Sequence, residues 1–170
     1  KPIIAKPEWT TARSSAGLAS APILIIVSRG LNLPWDDPLF KSSEHQVIIA
    51  TVNSVAREKL ATAKRLAKVV IFGDSEVNLT DLLRSLQNQG LRRIVCEGGP
   101  TLIEGLCKKN LIDEMNFTIS PLHPGSGEPE QNLRVALDFL RKKYPNFRFA
   151  NQITKDNFVF CRLLRVRTQP

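Results

Sequence analysis

The sequence predicts an α/β fold, a layered sandwich in which a largely parallel mixed sheet is flanked by helices. Short β-branched runs alternate along the chain with segments of helical period, the pattern of strand–helix–strand units. Leu, Ile, Val and Phe recur in blocks from Pro22 to Val166, enough to bury a core. The 170 residues are 42% apolar and 24% charged, the blend of one globular domain over residues 1–170.

Each element has its own signal. Residues 1–20 are rich in Pro, Ser and Ala without a sustained period and read as an irregular lead-in. Ile23–Ser28, Val47–Val52 and Val69–Phe72 are β-branched runs that read as strands, with a helix from Ser54 to Leu66 between the last two. A second helix begins at Asn78, whose side chain suits an N-cap. Leu79, Leu82, Leu83 and Leu86 repeat at helical spacing, and Gly90 stops the helix. Arg92–Cys96 reads as a short apolar strand ending at Glu97-Gly98-Gly99. Pro100 then opens a helix with Leu102, Ile103, Leu106 and Cys107 on one face, because a first-turn proline has no amide hydrogen to leave unpaired. Met115–Ile119 is a strand, Pro121–Gly127 a loop, Pro129–Lys143 a helix and Phe158–Val166 a closing strand. No repeat and no clear linker divides the chain.

Charge and composition exclude several classes. The net charge of +8 favours anions, yet residues 1–85 carry 11 basic and 8 acidic side chains and residues 86–170 carry 13 and 8, so neither half is a basic arm. The tight cluster Arg141-Lys142-Lys143 and the spaced Arg162, Arg165 and Arg167 fit solvated faces. One Tyr and two Trp offer few stacking platforms for bases, so a nucleic-acid partner is disfavoured. The longest apolar run, Ala21–Val27, is far short of the roughly 18 residues of a membrane helix. Cys96, Cys107 and Cys161 are an odd, widely spaced set beside apolar residues and read as buried thiols in a reducing cytoplasm. His45 and His123 stand at no metal-ligand spacing, so no metal site is expected.

Chemistry concentrates at strand ends. At Glu97–Thr101 two glycines meet a helix start: absent β-carbons let a ligand approach the backbone, and the free amides attract an anion such as phosphate. A tight turn between strand and helix explains the same residues. Ser28-Arg29-Gly30 ends another strand, where ligands gather in α/β sheets; Arg29 either grips a phosphate or is exposed in a turn. Thr51 and Gly73-Asp74 occupy equivalent strand ends. Glu97, after an apolar run, is either paired with a basic neighbour or aimed at a polar ligand. Gly125 and Gly127 fit a surface loop.

The run LRRIVCEGGPTLIEGLCKKNLIDEMNFTISPLHPG, Leu91–Gly125, resembles the riboflavin-biosynthesis pyrimidine reductases, which have the dihydrofolate-reductase-like fold. The stretch ILIIVSRGLNLPWDDPLF is similar to the same family, and the likeness covers residues 20–125. The resemblance implies a cytoplasmic, homodimeric reductase that uses NADPH to convert the ribosylamino group of a phosphorylated diaminopyrimidine or aminouracil into a ribitylamino group. It implies that Gly98, Gly99, Pro100, Thr101 and Leu102 line the cofactor's pyrophosphate and nicotinamide region. Ser28 and Arg29 resemble the pair that holds the adenosine 2′-phosphate in dihydrofolate reductases, and the resemblance implies that Glu97 faces the substrate. Ahead of Ser28 the family's Ser-Leu-Asp-Gly segment and Gly-Ala-Gly-Thr-type turn are not found. The expectation is therefore a domain lacking its N-terminal part, with residues 129–157 as an added helical segment. A different class remains open, an NADP-binding or interaction module without the substrate half.

Overall fold

The computed structural model describes residues 7–41, 46–120 and 129–166. Its contacts divide the chain into two compact units, Lys1–Gly105 and Leu106–Pro170.

The first unit is built on three parallel strands, β1 (Leu24–Val27), β2 (Val47–Thr51) and β3 (Lys68–Ile71), in the order β1-β2-β3. Register pairs Ile26 with Ile49 and Ile49 with Val69. β2 is central and all five of its residues are buried, which accounts for its unbroken apolar sequence. On one face Val47 and Ile49 pack with Leu31 and with Ala63 of α2 (Arg57–Leu66), joined by Trp35, Phe40 and Leu60. Ile48 and Ala50, on the other face, are equally sealed from solvent.

Two more helices belong wholly or mainly to this unit. Asn78 caps α3 (Leu79–Asn88) by accepting the Asp81 amide, and Leu79, Leu82 and Leu86 turn inward. Gly90, at φ +83°, ends the α3 turn in a conformation that costs glycine nothing. α4 (Pro100–Lys108) begins at the expected proline and lies close to α3: a β-carbon on Gly105 would stand 3.0 Å from Leu79 Cδ1.

In the second unit β4 (Glu114–Ile119), β5 (Phe147–Lys155) and β6 (Phe158–Arg165) form an antiparallel sheet in the order β4-β6-β5. Met115, Val159, Cys161 and Leu163 project from one face into a core closed by Leu133, Leu137 and Tyr144. The leucines belong to α5 (Pro129–Lys143), and their four-residue spacing lays one stripe of that helix on the sheet.

Four expectations need correction. Arg92–Cys96 is not a strand: no ladder partner pairs with it among the described residues, and Ile94 and Val95 are exposed, Val95 at 84%. A β-branched run becomes a strand only when a neighbour accepts its backbone hydrogen bonds. Residues 1–20 are not irregular throughout, since Pro7–Ser15 forms a helix, α1. It buries no residue and so has no apolar period to read. The 129–157 segment is a helix followed by strand β5, whose polar Asn151-Gln152 hides the alternation and whose pairing slips at a bulge between Phe149 and Asn151. Cys96 is exposed, because the strand meant to bury it does not form, whereas Cys107 is half-buried and Cys161 buried; none of the three is in a disulfide among the described residues. The loop Pro121–Gly127, with Gly125 and Gly127, lies outside the described residues, as do His45, His123 and Arg167.

Candidate functional site

Parallel strands end on one side of their sheet, and three of the expected site segments meet there. The Ser28 amide donates to the Ala50 carbonyl at 2.9 Å, the Phe72 amide to Thr51 at 2.9 Å and the Asn53 amide to Gly73 at 2.9 Å. Ser28-Arg29, Thr51 and Gly73 are thereby held side by side at the carboxyl border of the sheet, where α/β proteins bind ligands.

The first of these turns is rigid. Ser28 Oγ accepts the Leu31 amide at 3.1 Å, and Leu31 holds a left-handed φ of +51° while only 1% exposed. A non-glycine residue in that region costs on the order of 1–3 kcal/mol, which burial of a leucine side chain offsets by a similar amount. Thr51 is fully buried, and its hydroxyl donates to the Arg29 carbonyl at 3.4 Å, so it supports the turn from beneath. The Arg29 side chain stands on top, exposed and without an ion pair among the described residues. At the third strand end Gly73 has φ +91°, and a β-carbon there would meet the Glu76 carbonyl oxygen at 2.2 Å. Only glycine makes this turn, which returns the Asn78 amide to the Phe72 carbonyl at 3.0 Å and so starts α3.

Glu97, Gly98, Gly99, Pro100, Thr101 and Leu102 form a second segment, the entry to α4. Among the described residues no hydrogen bond joins it to the strand-end cluster. The Gly99 carbonyl accepts from Leu102 at 3.1 Å and Ile103 at 3.2 Å, which makes Gly99 the N-cap. The two glycines differ. A β-carbon on Gly98 would come 2.6 Å from Leu102 Cδ2, so Gly98 lets the helix close on itself; around Gly99 nothing lies within 4 Å. The backbone at Gly99 is thus open to a ligand at the positive end of a nine-residue helix. Glu97 is exposed and takes part in no ion pair among the described residues, which removes the paired-carboxylate reading. No three-residue group of His, Cys, Asp or Glu able to hold a metal occurs among the described residues.

Leu31 is the site residue that sequence reasoning missed. Its only trace is a serine three positions upstream, a common way to brace a turn. Nothing in the residue type announces a left-handed leucine.

A parallel sheet whose strand ends carry a braced Ser-Arg turn, together with a glycine-opened helix start, makes this an α/β protein with two candidate ligand-facing segments. The chain belongs to the RibD C-terminal domain family, whose profile it matches over residues 3–142. It is 30% identical over 135 residues to a 2,5-diamino-6-ribosylamino-4(3H)-pyrimidinone 5′-phosphate reductase of Archaeoglobus fulgidus, covering 79% of this chain and 61% of that one. To the reductase of the same name from Methanothermobacter thermautotrophicus it is 30% identical over 121 residues, 70% of this chain and 55% of the relative. The chain therefore spans little more than half the length of these relatives. Its fold is that of a pyrimidine reductase-like protein from Corynebacterium diphtheriae, with a TM-score of 0.70 at 17% identity over 98% of this chain and 70% of the other.

Proposed function

We propose that the chain is the reductase part of a riboflavin-pathway enzyme that uses NADPH to reduce the ribosylamino group of a phosphorylated pyrimidine to ribitylamino. Family membership and the reductase relatives support the reaction class. The observation that carries the cofactor reading is the open backbone at Gly99, at the positive end of α4. Gly98, Gly99, Pro100, Thr101 and Leu102 hold the pyrophosphate and nicotinamide region in this reading. Arg29 and Ser28 grip the adenosine 2′-phosphate, with Thr51 and Gly73 shaping the border beneath, and Glu97 faces the substrate. The cofactor supplies the hydride; the protein's part is to bind, orient and exclude water. The working form in this reading is a cytoplasmic homodimer.

The test titrates the full chain with NADPH and with NADH by thermal shift, then follows NADPH oxidation with the ribosylaminopyrimidinone phosphate. A shift larger for NADPH, followed by turnover, is the expected result. A shift without turnover leaves an NADP-binding module. No shift from a folded chain removes the cofactor reading.

A further inference from the structure

A phosphate monoester carries about −1.5 to −2 charge at neutral pH, more than one arginine matches. A second cation stands beside the Ser28-Arg29 turn. α2 is the crossover from β2 to the parallel strand β3, so its first turn lies at the same carboxyl border as the turn that ends β1. One hydrogen bond joins the two turns: Lys59 Nζ donates to Asn32 Oδ1 at 2.5 Å. Asn32 itself folds back on the turn, because a β-carbon on Gly30 would stand 3.4 Å from Asn32 Nδ2 and 3.9 Å from Asn32 Cγ. The Lys59 ammonium is therefore within about 8 Å of that point, a bound set by those contacts and one carbonyl bond. Arg29 directly precedes Gly30, and its side chain is exposed. The two cations flank one short stretch of backbone.

The surroundings of Lys59 leave its charge unmatched. Its helix neighbours at three and four residues, Val55, Ala56, Thr62 and Ala63, are uncharged, and it forms no ion pair among the described residues. Asn32 is neutral and takes one of three ammonium hydrogens, so two donors and the whole positive charge face outward. Fixing a lysine costs rotamer entropy that one exposed hydrogen bond barely offsets, so stability alone gives little reason for the contact. Arg57, exposed in the same turn of α2, makes no such bond to the Ser28–Asn32 turn among the described residues.

We propose that Lys59 is a specificity-determining residue, the second cation that meets the cofactor's 2′-phosphate, and that Asn32 is the positioning residue that holds it there. The assignment rests on the NADPH reading above and extends it from the turn to α2. Arg29 forks onto two phosphate oxygens, while the ammonium meets a third as a compact point charge. NADH offers a hydroxyl in place of that phosphate. The pair therefore discriminates between the cofactors instead of strengthening both.

Isothermal titration calorimetry of the full chain with NADPH and with NADH tests this. Lys59→Gln removes the charge and keeps a donor for Asn32; it is expected to raise the NADPH dissociation constant about tenfold and to leave that for NADH within about twofold. Lys59→Arg should restore most of the NADPH affinity. Asn32→Ala frees the lysine but keeps its charge, so its NADPH constant should rise by a smaller factor, about threefold. Arg57→Gln, an equal loss of charge in the same turn, should move neither constant by more than about twofold. Lys59, Asn32 and Arg57 are exposed, so all four variants should keep the unsubstituted melting temperature. Equal losses for NADPH and NADH in Lys59→Gln, or a loss no larger than that of Arg57→Gln, overturn the assignment. If Arg29→Ala still abolishes the preference in that case, the 2′-phosphate reading of the turn stands without Lys59. A folded chain that binds neither cofactor, or both alike, overturns that reading and the part of Lys59 with it.

Discussion

At Gly73 a single missing methyl group determines a turn. With φ +91° and the Glu76 carbonyl 2.2 Å from any β-carbon, Gly73→Ala must move backbone rather than a flexible side chain. We expect it to cost about 2 kcal/mol or more, read from the urea midpoint. Gly99 is the opposite case, because its surroundings are empty and aspartate is a good N-cap. Gly99→Asp should therefore keep or raise the melting temperature while abolishing the NADPH-induced shift; retained binding would remove the pyrophosphate assignment. Arg29→Ala leaves no packing gap, since the side chain is exposed. Its affinity for NADPH should fall far more than that for NADH, and equal losses would count against the 2′-phosphate role.

Among the elements, α3 is the one most fully written in its own residues. Asn78 Oδ1 accepts the Asp81 amide at 3.3 Å and Asn78 Nδ2 donates to the Asp81 carboxylate at 2.6 Å, a local cap that needs no tertiary partner. Asn78→Ala should cost about 1 kcal/mol in equilibrium unfolding. β5 shows the reverse. Its nine residues become a strand because β6 presents a ladder, and the bulge at Phe149/Asn151 masks the alternation that would have revealed it. Across β4 and β6, hydrogen bonds from the Arg162 guanidinium and then the Asn116 amide hold the Glu114 carboxyl below its ordinary pKa. A depressed folded-state pKa stabilises above the unfolded carboxylate value, and the contribution is lost as pH falls through the lowered one. Glu114→Gln should accordingly flatten the acid side of the stability profile.

Over the whole molecule, burial sorts the thiols in a way the local sequence did not. Val95-Cys96 and Phe160-Cys161 look alike as apolar pairs, yet Cys96 is exposed and Cys161 is 2% exposed, with burial pushing its thiol pKa up. A thiol reagent should label Cys96 quickly in the native chain and Cys161 only after unfolding; fast labelling of Cys161 would contradict the core described around Leu163. The sequence by itself determined the α/β class, the parallel strands, the capped α3, the proline-started α4 and the candidate residues at strand ends, because those features are set by periodicity and local backbone chemistry. Only the tertiary structure decided that Arg92–Cys96 stays unpaired among the described residues, that Phe147–Lys155 becomes a strand and that Leu31 is buried in a left-handed turn braced by Ser28. Those outcomes depend on which distant backbone or cavity a segment meets, and no window along the chain contains that partner.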